Sequence, residues 1–324
     1  MDHPSNIAIV LPAYNEELTI SDTMRAFYAE LPDAQLWVIN NNSSDNTDKI
    51  ARDVFAELGC KGGVITEKRQ GKGNAIRRAF HGIDADIYVM SDADLTYPAN
   101  QVHALLQPIL ANEADMVVGD RHSGGQYKKE NKRNLHNFGN RLVQSLVNRL
   151  FGASLIDIMS GYRVFNRLFV KNYPILVGGF EIETDMTLHA LDKRFRIVEI
   201  PVDYKDRPEG SFSKLNTMRD GLRVLGTIAK ILRHYKPLLF FGYMACFFAC
   251  LGLLAGMPVI GDWLRERYIY HMPLAILATG LGIIAMLLIA IGLILDSIIY
   301  QNKCNFEYNL LNYKTSTSSQ YVFK

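Results

Sequence analysis

Two aspartates separated by one residue, Asp92-Ala93-Asp94, follow the short, mainly apolar run Asp86-Ile87-Tyr88-Val89-Met90 and the polar Ser91. Carboxylates held this close repel one another unless a cation lies between them. All-oxygen ligands favour a hard divalent ion, Mg²⁺ or Mn²⁺, which in turn binds a diphosphate. The apolar run reads as a buried strand. The acids would then sit at its C-terminal end, where open α/β sheets place their ligands. The competing reading is that they merely end a strand and cap the helix starting near Pro98. A lone Asp-x-Asp does not separate the two, so its neighbours must.

Upstream, the loop Pro12-Ala13-Tyr14-Asn15-Glu16 follows the short apolar run Asn6–Leu11, read as the first strand. Tyr14 offers a ring face to a base and Glu16 an acceptor to ribose hydroxyls, although acids at a helix start are common without either role. Pro12 has no N–H and is expected to close the first strand. Gln35–Asn40 reads as the second strand. Asn40 and Asn41 at its end suit either the edge of a base or the free backbone donors of a helix over 47–58. A third strand near Val64–Thr66 leads to Gly71-Lys72-Gly73-Asn74-Ala75, a lysine at a helix start between glycines that let the backbone approach a diphosphate. The full phosphate-loop pattern is missing. Further strands are read at Met116–Arg121 and Glu199–Tyr204. Regular alternation of strand and helix predicts a parallel sheet of the nucleotide-binding kind. The segment Gly178–Asp185 opens a helix whose acids favour its positive end. In 207–214 hydroxyl and cationic donors surround Gly210, which suits a mobile closure over a phosphorylated ligand.

The chain has 324 residues, 48% of them hydrophobic, and a net charge of +2, but the charge is unevenly placed. Pro237–Ile260 and Pro273–Leu295 contain no charged residue, and each exceeds the roughly 20 residues a helix needs to cross a bilayer core. Two transmembrane helices are therefore expected. Lys230, Arg233 and Lys236 before the first span place both termini in the cytoplasm, against Arg265 and Arg267 in the outer loop. Met1–Asn6 is polar and Ile7–Leu11 too short for a signal core, so the reading expects no signal peptide and a cytosolic catalytic half. Cys60, Cys246, Cys250 and Cys304 lack metal-ligand or framework spacing and read as reduced thiols. From Gln126 to Leu150, Lys128, Lys129, Lys132, Arg133, Arg141 and Arg149 face one acid, Glu130. Residues 205–236 are similarly basic. Beside membrane spans these stretches suit anionic lipid headgroups rather than nucleic acid, for which no binding module is present.

Taken in order, Pro12-Ala13-Tyr14-Asn15-Glu16, Asn40–Asp45, Gly71–Ala75, Asp92-Ala93-Asp94, Ser160-Gly161-Tyr162-Arg163 and the spaced Arg207, Gly210, Ser213 and Lys214 resemble the inverting glycosyltransferases of family 2. Within them the chain looks like the polyprenyl-phosphate sugar synthases, such as dolichyl-phosphate mannose synthases and bactoprenol-phosphate glucosyltransferases with two C-terminal membrane helices. The resemblance implies an α/β GT-A, Rossmann-like fold, a UDP- or GDP-sugar donor, Mg²⁺ or Mn²⁺, and a polyprenyl phosphate acceptor. By position, Pro12, Ala13, Tyr14, Glu16, Ile39 and Asn41 would hold the nucleoside. Asp92, Ala93 and Asp94 would hold ribose, metal and diphosphate, with Lys72 on the diphosphate. Arg121, Arg163, Arg207 and Lys214 would face the donor diphosphate and acceptor phosphate, Ser160 and Ser213 would assist at the acceptor, and Asp157 would act as a base or orient Arg163. The chain departs from the family in two places. Asn40-Asn41-Asn42-Ser43 replaces a common Asp-Asp-Gly-Ser, and Thr96 stands where some members supply a third metal ligand.

The implied organisation is a cytosolic catalytic domain over 1–215, a basic interfacial helix over 216–236, a membrane hairpin over 237–296 and a cytosolic tail of little fixed structure over 297–324. Gly252, Ala255, Gly256, Gly280 and Gly282 in the spans would permit helix association and a homo-oligomer. A processive polysaccharide synthase would share the donor motifs, but needs more membrane helices and a Gln-x-x-Arg-Trp motif absent here. A nucleotidyltransferase would not explain 160–163 and 207–214, and a non-catalytic scaffold would not explain the paired acids.

Overall fold

The computed structural model describes residues 6–123, 134–179, 181–204 and 217–322. Arg207, Ser213, Lys214 and much of the two basic stretches lie outside the described residues. Strands β1 (Ile7–Ala13), β2 (Gln35–Asn40), β4 (Ile87–Met90) and β5 (Met116–Asp120) are short and mostly buried, and β3 (Gly62–Thr66) forms an edge. Helices α1 (Ile20–Glu30), α2 (Thr47–Leu58), α3 (Lys72–Gly82) and α4 (Val102–Leu110) alternate with them. In α1, Ile20, Met24 and Phe27 are buried; a spacing of three and four puts them on one face of a helix. After β5 come α5 (Asn134–Phe151), β6 (Arg163–Asn166), α6 (Arg167–Asn172), α7 (Ile182–Asp192) and β7 (Ile197–Pro201).

The sheet has seven strands in the order β3-β2-β1-β4-β6-β5-β7. Its first four positions are parallel, as expected, but β6 runs antiparallel to both β4 and β5. The sheet is therefore mixed. Antiparallel pairing of Met90 with Arg163 turns the start of β6 toward the ends of β4 and β5, so the 158–163 loop joins the edge that carries Asp92. The last strand runs Ile197–Pro201 rather than to Tyr204, and Val202 N–H just beyond it still donates to Asp120 O at 2.9 Å. The first strand, conversely, runs through Pro12 to Ala13. Val10 O accepts from Ser91 N–H, so residues of that parity face β4; pairing with β4 ends at Val10, and Pro12 loses no bond there.

Ile9, Leu11, Val89, Val117 and Val164 are fully buried at the centre of the core. Each contributes roughly 1.5–3 kcal/mol by leaving water, so apolar packing holds the sheet while the loops at its edge carry the polar groups.

The chain divides into two compact units, Met1–Thr217 and Met218–Lys324. The second contains most of α8 (Thr217–Tyr235), then α9 (Pro237–Glu266) and α10 (Met272–Val322). The last two helices are long and apolar enough to cross a membrane. They pair as a hairpin: a Cβ on Gly252 would meet Ala278 O at 3.3 Å, and one on Gly256 would meet Ala278 Cβ at 3.7 Å. These small residues are thus used within the hairpin. Asp262 closes its turn by accepting from Tyr270 N–H at 3.1 Å and from the His271 ring at 2.7 Å. The expectation of an irregular tail fails, because α10 continues to Val322. No glycine or proline follows Gly292 in that helix, so nothing in the backbone stops it.

Candidate active site

The loops after β1, β2 and β4 meet at the C-terminal edge of the sheet. Each contains a non-glycine residue in the left-handed region: Asn15 at φ 56°, Asn42 at 59° and Leu95 at 60°. Asparagine tolerates this conformation, whereas leucine there costs on the order of 1–2 kcal/mol. Surrounding bonds must hold the Leu95 turn. Thr19, at the start of α1, spends its hydroxyl on Ala93 O at 2.8 Å rather than capping its own helix, and Thr23 adds a bond to the same carbonyl at 3.2 Å. Thr96 donates through its hydroxyl to Asp94 Oδ1 at 2.6 Å and through its N–H at 3.2 Å. Thr96, which stands where some members of the family supply a third metal ligand, therefore acts as a support for Asp94.

The first two loops are laced together. Asn15 N–H donates to Ser43 Oγ at 3.1 Å, Glu16 N–H to Thr47 Oγ1 at 2.8 Å, and Glu17 N–H to Asp45 Oδ2 at 3.2 Å. Tyr14 is exposed beside them, as a ring meant for a base would need to be. Asn41 is buried with its amide engaged at both ends, Nδ2 donating to Arg69 O at 2.7 Å and Oδ1 accepting from Gly71 N–H at 2.7 Å. Asn40 likewise donates to Asp48 Oδ1 at 3.0 Å and accepts from Ser43 N–H at 3.0 Å. Both amides hold loops, so the base-edge role read for them is not what their side chains do in this structure. Ile39 is fully buried on β2, so its side chain is closed to solvent. Ala13 is buried too, its carbonyl accepting from Asn41 N–H at 2.8 Å, while Pro12 is half-buried at the strand end.

Lys72 begins α3 and reaches across the edge. Its Nζ donates to Asp92 Oδ1 and lies 2.5 Å from Glu183 Oε1 in the first turn of α7. Burial alone would lower the Lys72 ammonium, but the two carboxylates outweigh it and raise it well above its ordinary value. The flanking glycines serve a different purpose from the one expected. A Cβ on Gly71, whose φ is 125°, would meet Gly178 O at 2.0 Å, and one on Gly73 would meet Val177 O at 2.1 Å. They admit the 177–178 backbone rather than a diphosphate. Gly161 is a third such position, where a Cβ would come within 2.6 Å of Asp92 Oδ2. Glu183 was legible only as an acid at a helix start; its pairing with Lys72 depends on a fold that brings α7 beside α3.

A second cluster lies at the end of β5. Arg121 donates to Asp157 through Nε at 2.7 Å and Nη2 at 2.9 Å, a bidentate pair. Burial pushes the Asp157 carboxyl up, and Arg121 overrides this to hold it below the usual carboxylate range. It is an ionised partner of Arg121, which corrects its assignment to Arg163. Glu199 on β7 accepts from the N–H groups of Asp157 at 2.7 Å and Ile156 at 2.8 Å, fixing that loop. Burial raises Glu199 from its ordinary value, against these backbone donors.

Arg163 does not face the edge. It is completely buried and donates to Ser160 O at 2.8 Å, Ile158 O at 2.8 Å and Thr187 Oγ1 at 2.9 Å. Its guanidinium, lowered from its ordinary value by burial, braces the 158–160 loop and is unavailable to a phosphate. Ser160 is buried as well, its Oγ 3.4 Å from the Tyr97 hydroxyl, which also accepts from Gly161 N–H at 3.0 Å.

Among the described residues, no group of three or more His, Cys, Asp or Glu side chains could hold a metal. Asp92 and Asp94 each bring a carboxylate oxygen to this edge, with Oδ1 of the first on Lys72 and Oδ1 of the second on Thr96. Two such oxygens fit Mg²⁺ or Mn²⁺ that completes its shell with diphosphate oxygens and water; they do not make a complete cage.

Glycosyl transferase family 2 matches residues 8–173, just over half of the chain. Glycosyltransferase AglJ of Haloferax volcanii is 29% identical over 300 residues, covering 92% of this chain and 95% of that one. A dolichyl-phosphate hexose transferase of the same organism is 26% identical, covering 70% of this chain and 93% of its own. The structure of glucosyl-3-phosphoglycerate synthase from Mycobacterium tuberculosis with Mn²⁺ and UDP-glucose matches with a TM-score of 0.52 at 22% identity, over 70% of this chain and 78% of that one; it shares the GT-A fold. The chain belongs to glycosyl transferase family 2 and is a glycosyltransferase.

Proposed function

We propose that the protein transfers a hexose from a UDP- or GDP-sugar to a polyprenyl phosphate at the cytoplasmic face of a membrane, with inversion. The observation that carries this reading is the conjunction, in one chain, of the Asp92–Asp94 edge with two helices fit to cross a bilayer. The dolichyl-phosphate acceptor named for a relative supports it. The exposed Tyr14 ring and Glu16 receive the nucleoside, with the amides of Asn40 and Asn41 keeping their loops in place. Asp92 and Asp94 would hold a divalent ion, whose charge would offset that of the departing diphosphate.

The acceptor phosphate is a weak acid whose second pKa lies near ~6, so it is largely ionised at neutral pH. Its oxygen forms the bond to the anomeric carbon as the bond to the nucleoside diphosphate breaks. No strong general base is needed, in keeping with an Asp157 committed to Arg121. Arg121, held over the Tyr204 ring at 5.6 Å, orients the acceptor anion, joined by Arg207, Ser213 and Lys214. Membranes containing the protein, incubated with labelled UDP- and GDP-hexoses and extracted with organic solvent, test the reading. Label in a short lipid-soluble product supports it; label only in long insoluble polymer supports a processive synthase and refutes it.

A further inference from the structure

Lys72 places a positive charge on the carboxylate that the proposed function gives to a metal. Its Nζ bonds Asp92 Oδ1 and also lies 2.5 Å from Glu183 Oε1, so the ammonium is shared between two acids from different elements. All three fit closely because Gly161 has no side chain: a Cβ there would lie 3.0 Å from Nζ and 2.6 Å from Asp92 Oδ2. An ammonium is a compact point charge on a flexible stem, and two cations on one carboxylate repel. The second anchor matters. Lys72 can leave Asp92 and keep Glu183 as its buried counter-ion, whereas a lysine paired with Asp92 alone would have to strand its charge.

We propose that Lys72 is a resident counter-cation exchanged for the divalent ion at Asp92. In the metal-free protein it neutralises Asp92; when the ion arrives with a nucleoside diphosphate, Lys72 withdraws to Glu183. The bare ion then competes with Lys72, while the ion with its diphosphate brings ligands that outweigh it, and the two bind with positive coupling. The inference rests on the reading of Asp92 and Asp94 as metal ligands and concerns what fills the site before the metal does.

The test uses the full chain in neutral detergent, titrated with Mn²⁺ alone, free ion being followed by electron paramagnetic resonance. Binding lost on Asp92→Asn defines the site. Lys72→Met should bind Mn²⁺ about tenfold more tightly than wild type, and Lys72→Arg, which keeps the charge, should not. The unfolding midpoint of Lys72→Met should fall without metal, since Asp92 and Glu183 lose their shared partner, and recover as Mn²⁺ binds at Asp92. Equal or weaker Mn²⁺ affinity in folded Lys72→Met overturns the exchange, as does the absence of Asp92-dependent binding in both proteins. Failure to label prenyl phosphate, with tighter Mn²⁺ binding intact, would strike the proposed function alone.

Discussion

Two ion-paired clusters stand at the same sheet edge and are built in opposite ways. Lys72 shares a single ammonium between Asp92 and Glu183, whereas Arg121 is locked to Asp157 by two parallel bonds and a third from its own N–H at 3.3 Å. Asp157 is fixed further by accepting from Met159 N–H at 3.2 Å, and Glu199 clamps the backbone behind it. A planar fork matched to a carboxylate resists rearrangement, and a point charge between two acids does not. The first cluster is suited to exchange, the second to holding a guanidinium at a set place.

Removing the arginine gives the largest expected effect. Arg121→Ala leaves Asp157 buried without its counter-ion and should cost about 3–5 kcal/mol in stability. Mn²⁺ should not restore the midpoint, in contrast to Lys72→Met, and urea unfolding with and without the ion measures this. Recovery by Mn²⁺ in both variants would erase the distinction between the clusters.

An effect of intermediate size should come from pH, through the helix that carries Glu183. His189 of α7 is packed against Phe169, Tyr173 and Phe195, and burial lowers it to about 4. An unfolded histidine titrates near ~6.5. Because the folded value is the lower one, the neutral ring's stabilisation is complete above that pH and is lost as pH falls toward about 4. The loss should reach the order of 3 kcal/mol, and His189→Phe should flatten the dependence of unfolding midpoint on pH in this window. An unchanged slope in that variant would place the titration elsewhere.

The smallest expected change is Thr96→Val, which deletes the hydroxyl donated to Asp94 at 2.6 Å. It should lower kcat/KM about tenfold, equivalent to about 1.4 kcal/mol, while Thr96→Ser retains most activity. Equal losses in the two would show that the methyl group, not the hydroxyl, supports Asp94.

Much of this edge was legible before any coordinates. The acids after β4 and the loop after β1 stood out because apolar runs ending in polar residues mark strand ends. The direction of β6 did not stand out: Arg163-Val164-Phe165-Asn166 is too short and too buried to show which way it pairs. That reversal brings the 158–163 loop to the edge, and Arg163 is spent there on Ser160 O, Ile158 O and Thr187 Oγ1, against the role its motif implied. Gly71 and Gly73 were visible as close-approach sites, but the partner, the backbone at 177–178, is distant in sequence. Glu183 was hidden for the same reason, since an acid in a first helical turn already has a local explanation.

The central claim is that the acidic edge serves sugar transfer to a lipid phosphate. Purified full-length protein, supplied with labelled UDP- or GDP-hexose, Mn²⁺ and a short water-soluble prenyl phosphate, tests it most directly beside Asp94→Ala. The account predicts labelled prenyl phosphate from the wild type and a loss of roughly a thousandfold in the variant, with the unfolding transition still cooperative. Wild-type turnover by Asp94→Ala, or no transfer to the prenyl phosphate with any of these donors, would contradict it.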